Sequence, residues 1–301
     1  MAYCYNCQPR ESGEYIWVLG NQIEMTDFLM DQGVPESKRE EVASGLYCLN
    51  CGTEQDLSSE IGQKSAEEEL ADEQWDQWRS EYAPKLEEFV DWLTKYPYLG
   101  TDHPLGREFL EQIAEFPTST FTRDRWWRAR RVEGPSRLVP KDMGPPPKPP
   151  RSEGRYNHHG QRVFYLASSK EDAAAEVLGE GECLSWVQEF EIRDRSKLLD
   201  LTAPMAHEDM GAIPILLAGL AWSRAHMASD DPDSEWKPQY FLPRFIADCA
   251  RRHRFRGIVF DSPKHYGENL VLFRWKRSDI VEVGDPTLLE WQPPSEEDMP
   301  F

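Results

Sequence analysis

Nowhere does this sequence hold the ~20 consecutive apolar residues that a membrane helix requires, and no basic stretch leads into an apolar run near its start. A membrane span and a secretory leader are therefore not expected, and the chain reads as cytoplasmic. Glycine-rich phosphate loops are missing as well: neither Gly-x-Gly-x-x-Gly nor Gly-x-x-x-x-Gly-Lys occurs, which leaves Rossmann and P-loop chemistry without support. Basic residues are scarce in one part only. Residues 1–123 carry 9 Lys and Arg against 25 Asp and Glu, whereas residues 124–301 carry 25 against 29, so the net charge of −20 belongs mostly to the first part. An acidic surface repels phosphate backbones and anionic lipid, so neither nucleic acid nor membrane is an expected partner and basic proteins fit better.

Cysteine is also rare, with six in 301 residues. Four of them form two knuckles of one form, Tyr3-Cys4-Tyr5-Asn6-Cys7 and Tyr47-Cys48-Leu49-Asn50-Cys51, and each knuckle can present two thiolates to one ion. Four thiolates around a tetrahedral Zn²⁺ make a closed structural site, which suits a reducing compartment better than disulfides would. One structural zinc on Cys4, Cys7, Cys48 and Cys51 is the expectation. The 40 residues between Cys7 and Cys48 must then fold by themselves, and helix-like stretches stand at 25–31 and 37–43.

Residues 64–116 read as helical, because Leu86, Phe89, Val90 and Leu93 recur at i, i+3, i+4 and i+7 and Trp75, Trp78 and Tyr82 repeat the stripe one helix earlier. Pro97-Tyr98-Leu99-Gly100 marks a turn. Residues 1–120 are thus expected to form a mainly helical zinc-binding module, and residues 121–301 a separate domain. The six prolines from Pro140 to Pro150 exclude a helix or central strand there, and their setting makes the run a loop inside the second domain. From Gly154 onward short apolar strands, at 163–167, 184–192, 198–201, 258–260 and 270–275, alternate with helices at 170–177, 213–228 and 242–252. The fold class is α+β, with a mixed sheet.

An ordered series of motifs runs through this second domain: Trp127-Arg128-Ala129-Arg130; Asp142-Met143-Gly144 with three prolines after it; Gly154-Arg155-Tyr156-Asn157; Tyr165-Leu166-Ala167-Ser168 ahead of Ala174-Ala175-Glu176; Leu199-Asp200-Leu201-Thr202; Phe260-Asp261-Ser262; and Asn269-Leu270-Val271-Leu272-Phe273. Over residues 125–283 it resembles the RES family, whose eponymous Arg, Glu and Ser fall on Arg155, Glu176 and Ser262. The resemblance implies a fold akin to ADP-ribosyltransferases, an activity that splits NAD⁺ at the nicotinamide–ribose bond, and a toxin paired with an antitoxin or immunity protein. It makes Arg155, Glu176 and Ser262 the catalytic set and Arg128, Arg155, Tyr165 and Asn269 the NAD-binding set.

Residue chemistry agrees. Breaking the N-glycosidic bond leaves an oxocarbenium-like ribose, so the site needs cations for the diphosphate and an anion near the ribose. Arg128 and Arg155 suit the first task as guanidinium forks, and Glu176 suits the second. Tyr165 either stacks on nicotinamide or ribose or is a core aromatic; Ser262 either orients ribose, diphosphate or acceptor or is a turn residue before Pro263. His158 and His159 read as a loop pair without a catalytic task. Where the family shows Tyr-x-Pro-Thr-Gln, this chain has Tyr240-Phe241-Leu242-Pro243-Arg244, which leaves the roles of Tyr240 and Arg244 open. The leading reading passes the ADP-ribosyl group to water or phosphate. An alternative keeps the site and uses a protein acceptor, and a third makes the chain a non-enzymatic binding module.

Overall fold

The computed structural model describes residues 2–4, 22–48, 52–63, 66–116, 121–132, 134, 137–147, 153–178, 183–202, 214–223, 225–227, 237–265 and 267–291. They divide into two compact units, the boundary falling between Glu73 and Gln74.

The smaller unit contains strands β1 (Ala2–Cys4) and β2 (Gln22–Glu24), helices α1 (Met25–Asp31) and α2 (Glu36–Ser44), and strand β3 (Glu60–Gln63). The strands form an antiparallel sheet in the order β1-β3-β2. Both helices expected between the knuckles are present; the sheet was not expected, because strands of three or four residues leave too little alternation to read. Met25, Leu29, Ala43 and Ile61 are its buried core. The Cys48 N–H donates to the Thr53 carbonyl at 2.9 Å and the Gly52 N–H to the Cys48 carbonyl at 2.8 Å, with Gly52 at φ +73°, where an L side chain is strained. Cys7, Cys51 and the Cys4 side chain lie outside the described residues, among which no cluster of three His, Cys, Asp or Glu could hold a metal.

In chain order the rest comprises α3 (Ala66–Glu81), α4 (Ala83–Lys95), α5 (Pro104–Glu115), β4 (Arg125–Arg131), α6 (Pro140–Met143), β5 (Phe164–Ala167), α7 (Lys170–Val177), β6 (Leu184–Ile192), β7 (Leu198–Asp200), α8 (Ile215–Ser223), α9 (Phe241–Arg252), β8 (Gly257–Asp261), β9 (Glu268–Leu272) and β10 (Ile280–Glu290). No helix among the described residues is long and apolar enough to cross a membrane. Helices α4 and α5 bury Leu86, Phe89 and Leu93 and Leu105, Phe109 and Ile113, the stripes of one-sided helices. Those stripes pack against α9, with Phe89 and Phe245 edge-to-face at 5.1 Å. So α4 and α5, grouped with the N-terminal module on sequence, share a core with the second domain, and the contact boundary lies near residue 73 rather than 120.

Seven strands form one sheet in the order β10-β6-β4-β5-β9-β8-β7, antiparallel except for β7 beside β8. Successive side chains on a strand point to opposite faces, so the sheet has two surfaces of different character. One carries Trp127, Ala129, Tyr165, Ala167, Ile258, Phe260 and Val271 toward α4, α5, α7, α8 and α9. The other carries Trp126, Phe164, Leu166, Phe190, Val259 and Leu270 toward α6. Helix α6 corrects the expectation that the proline run excludes helix: Pro140 occupies the first helical position, where the missing N–H has no intrahelical partner to lose.

Candidate active site

Strand β5 ends at Ala167, and α7 starts three residues later at Lys170 with Ser169 as its N-cap, whose hydroxyl accepts the Asp172 N–H at 3.0 Å. Buried Ala173, Ala174 and Ala175 let this helix lie close to the sheet, and the next residue is the half-buried Glu176. Its Oε1 accepts hydrogen bonds from Ser262 Oγ at 2.8 Å and Asn269 Nδ2 at 2.7 Å. Ser262 and Asn269 are brought opposite one another because β8 and β9 are antiparallel with Phe260 in register with Asn269. Both are 4% exposed, so the carboxylate is held by donors that cannot swing away into water. Glu176 Oε2 makes no hydrogen bond among the described residues, and Asn269 Oδ1 is a buried acceptor without one. A buried acceptor left so costs about 1–3 kcal/mol, which a bound donor would recover. The last carbonyls of α7 meet cations: Lys264 Nζ donates to the Glu176 carbonyl at 3.3 Å and Arg131 Nε to that of Val177 at 2.5 Å, as the negative end of a helix favours.

Ser262 has a turn role as well. Besides donating to Glu176, its hydroxyl accepts the N–H groups of Lys264 at 3.2 Å and His265 at 3.1 Å, so it also shapes the turn after β8. The hydroxyl proton is committed to a carboxylate and the lone pairs to two amides. Ser262 therefore orients Glu176 and is not set up as a nucleophile.

That turn is clamped by a network that sequence reading missed. Asp172, 3% exposed, accepts Ser168 Oγ and Ser169 Oγ at 2.6 Å each on Oδ2, and His265 Nδ1 at 2.5 Å with the Gly267 N–H at 3.1 Å on Oδ1. Burial works to raise its pKa, but the hydrogen bonds from Ser168, Ser169 and His265 outweigh it and hold the carboxyl below its ordinary 3.8. A Cβ on Gly267 would lie 1.9 Å from Asp172 Oδ2, so only glycine permits this approach. Asp172 and His265 are 93 residues apart, and no local spacing announces the pair.

Arg155 sits in a tight turn, Gly154 to Asn157, seated on Tyr165. The Tyr165 hydroxyl accepts the Tyr156 N–H at 2.9 Å and donates to Asn157 Oδ1 at 3.1 Å, and a Cβ on Gly154 would lie 2.9 Å from it. Burial pushes this phenol far above its usual pKa. Tyr165 thus carries the Arg155 turn, with its hydroxyl in use. Arg155 Nη1 donates to the His226 carbonyl at 3.1 Å, and its guanidinium lies 5.0 Å from the Tyr240 ring centre, which Arg244 and Lys237 also approach, at 5.4 and 5.6 Å. Three cations around one ring suit a ligand with more than one negative charge. Tyr165 and Ala167 are in register with Val271 and Asn269, so Tyr165, which carries the Arg155 turn, and Asn269, which holds Glu176, project from the same face of the sheet.

Arg128 is not brought to them. On β4 it alternates with Trp127 and Ala129 and shares the face of Trp126, and its guanidinium lies 5.0 Å from the ring centre of Phe164, which belongs to that opposite face. There it donates to the carbonyls of Met143, at 3.2 Å, and Gly144, while Arg162 Nε donates to that of Pro146 at 2.7 Å. Prolines offer no N–H of their own, and these two arginines pin the described part of the proline run onto the sheet, as a loop inside the domain.

The RES domain family model matches residues 125–293. No curated protein matches the chain. Among solved structures, the crystal structure of the M.tuberculosis MbcT-MbcA toxin-antitoxin complex is similar at 17% identity over 62% of this chain and 92% of that chain, with a TM-score of 0.39.

Proposed function

The chain belongs to the RES domain family, and from that premise we propose that it cleaves NAD⁺ at the nicotinamide–ribose bond, with Glu176 beside the reacting carbon and Arg155 on the diphosphate. The observation that carries the reading is the Glu176 carboxylate fixed through one oxygen by Ser262 and Asn269, its other oxygen without a hydrogen bond among the described residues, on the face that bears Arg155. As the C1′–N bond breaks, both electrons leave with neutral nicotinamide and positive charge builds on the ribose. A carboxylate already oriented there stabilises that charge without reorganising. The carbon then bonds to an oxygen of water, which sheds a proton, or of phosphate, giving ADP-ribose or its 1″-phosphate. Arg155, with Lys237 beside Tyr240, supplies the positive end that the diphosphate requires. Arg128, on the other face, is left out of this clamp. Purified protein is expected to release nicotinamide from NAD⁺, and comparing rates with and without millimolar phosphate identifies the acceptor. Labelled protein bands from labelled NAD⁺ and a lysate would move the reading to a protein acceptor, and no nicotinamide from folded protein would sink it.

Two finer points complete the proposal. In common with its family, the chain acts as a toxin or effector restrained by a protein antitoxin, so its expression alone should arrest growth and co-expression of the antitoxin should relieve it. In the N-terminal unit, Cys4, Cys7, Cys48 and Cys51 hold one structural Zn²⁺, a reading supported by their pairing in two Cys-x-x-Cys knuckles, each able to aim two thiolates at one ion. Metal analysis of protein purified under reducing, chelator-free conditions should return one zinc per chain, and finding none removes the claim.

A further inference from the structure

The loop that carries Arg155 is fastened to one stripe of α9, and the stripe is polar where the rest of the helix is core. Leu242, Phe245, Ile246, Cys249 and Ala250 are buried among apolar neighbours. Arg244, Asp248 and Arg251 recur at i, i+4 and i+7, the spacing that puts three side chains on one line of a helix. Arg244 Nε donates to the Gly154 carbonyl at 3.0 Å, and Arg251 Nη2 donates to the Tyr156 carbonyl at 2.9 Å. The two carbonyls that flank Arg155 are thus each held by an arginine of this stripe. Between them Asp248 accepts Arg251 Nη1 at 3.1 Å and Gln161 Nε2 at 3.4 Å on one oxygen, and pairs with His158 Nε2 at 2.8 Å on the other. Gln161 in turn accepts the His158 N–H at 3.0 Å.

Resting on the NAD⁺ reading above, we infer that Arg244, Asp248 and Arg251 are positioning residues that set Arg155 for its substrate, and that α9 is the template for the substrate-binding loop. Few backbone hydrogen bonds hold residues 154–161 otherwise: Gly154 and Asn157 bond each other and Gln161 N–H bonds the His158 carbonyl. A turn this short has no ladder to fix its orientation, so the side chains of α9 and the Tyr165 hydroxyl supply it. The arginine at 244, where the family shows a glutamine, gains a purpose here. Buried at 6% exposure, it spans from Gly154 to an ion pair with Glu153 at 3.3 Å and lies against Tyr240. His158 also gains one, as a clasp on Asp248.

Arg251 is the residue to test, because it stacks on Phe273 at 4.1 Å and is not among the cations around Tyr240. Arg251→Met keeps the stem over Phe273 and deletes both donors; Arg251→Lys keeps the charge but can reach only one acceptor at a time. Arg251→Met is expected to speed amide hydrogen exchange at Tyr156 by at least tenfold, and to raise KM for NAD⁺ at least tenfold while kcat stays within about threefold; Arg251→Lys should fall between it and wild type. Unchanged exchange at Tyr156 in folded Arg251→Met protein overturns the inference, as does unchanged KM alongside faster exchange. A loss of kcat at constant KM also overturns it, since that is what a merely structural role would give. Should the wild type not cleave NAD⁺ at all, the functional reading falls by itself, and the exchange experiment still decides whether α9 holds the loop.

Discussion

The two faces of the seven-stranded sheet use arginine for opposite ends. On the face toward α6, Arg128 and Arg162 lie against Phe164 and Trp275, and their donors point at main-chain carbonyls of the proline run. On the face toward α7 and α9, Arg155 is presented by a turn that other residues hold, and Glu176 by a pair of buried donors. Both faces bury charge beside aromatic rings, so composition does not tell them apart. What differs is whether the charged group is the one doing the holding or the one being held. Arg128 donates to two carbonyls of the proline run and Arg155 to the His226 carbonyl, so the distinction rests on which group is held in place by its neighbours, not on spare donors.

The sharpest way to break this comparison is at Glu176. Glu176→Gln keeps the shape and the partners' places but removes the charge, and an electrostatic stabiliser of a developing charge is typically worth 10²–10³ in kcat, so roughly that loss is expected with NAD⁺ binding intact. Nicotinamide release under saturating NAD⁺ measures it. A change of only a few-fold would make Glu176 an ordinary partly exposed carboxylate. Next in size is Arg155→Ala, which should weaken NAD⁺ binding by about 2 kcal/mol, the lower end for removing one partner of a charge pair, since the side chain is only half-buried. Isothermal titration with the slow Glu176→Gln background avoids turnover during the measurement.

Arg128→Met is the control on the other face. It strips donors from the Met143 and Gly144 carbonyls, so a stability loss of about 1–3 kcal/mol in urea unfolding is expected, with KM and kcat for the folded protein near wild type. If Arg128→Met instead raises KM as Arg155→Ala does, both faces serve the substrate and the distinction fails. Sequence reading gave the two arginines one task because it sees residue type and order, whereas the face a strand residue takes depends on one-residue register. Where the pattern was local it was legible. Helix α7 and strand β6 fall at their expected bounds, and Ser262 and Asn269, drawn like Glu176 from the motif series, lie within hydrogen-bond distance of it. Strand β4 was missed because four of its seven residues are arginine, which hides the alternation of its apolar positions. Strand β10 was missed because it carries a register shift between Val283 and Thr287, with Gly284 at φ +67°, so no run of period two survives. Asp172 with His265, and the grip of α9 on the Arg155 turn, join residues about 90 apart and have no sequence pattern of their own.

The smallest effect expected separates the clamp beneath Glu176 from Glu176 itself, through acid. Asp172 has a folded-state pKa lowered from 3.8, the net result of burial that opposes ionisation and of hydrogen bonds from Ser168, Ser169 and His265 that favour it. A carboxyl with a depressed folded pKa binds its proton more readily in the unfolded chain, so its contribution is present above pH 3.8 and is lost as the pH falls through the lower folded value. Stability of the wild type should therefore drop with falling pH in that acid window. Asp172→Asn cannot titrate, and its urea midpoints plotted against pH should fall less steeply there while remaining below wild type at neutral pH, where the half-buried serines and His265 have lost a charged acceptor. Because Ser262 still donates to Glu176 in that variant, whatever folded enzyme remains should keep most of its kcat at neutral pH. An acid slope identical to wild type would show that the Asp172 carboxyl is no more stabilised in the fold than out of it, and the turn after β8 would then be held by its backbone bonds alone.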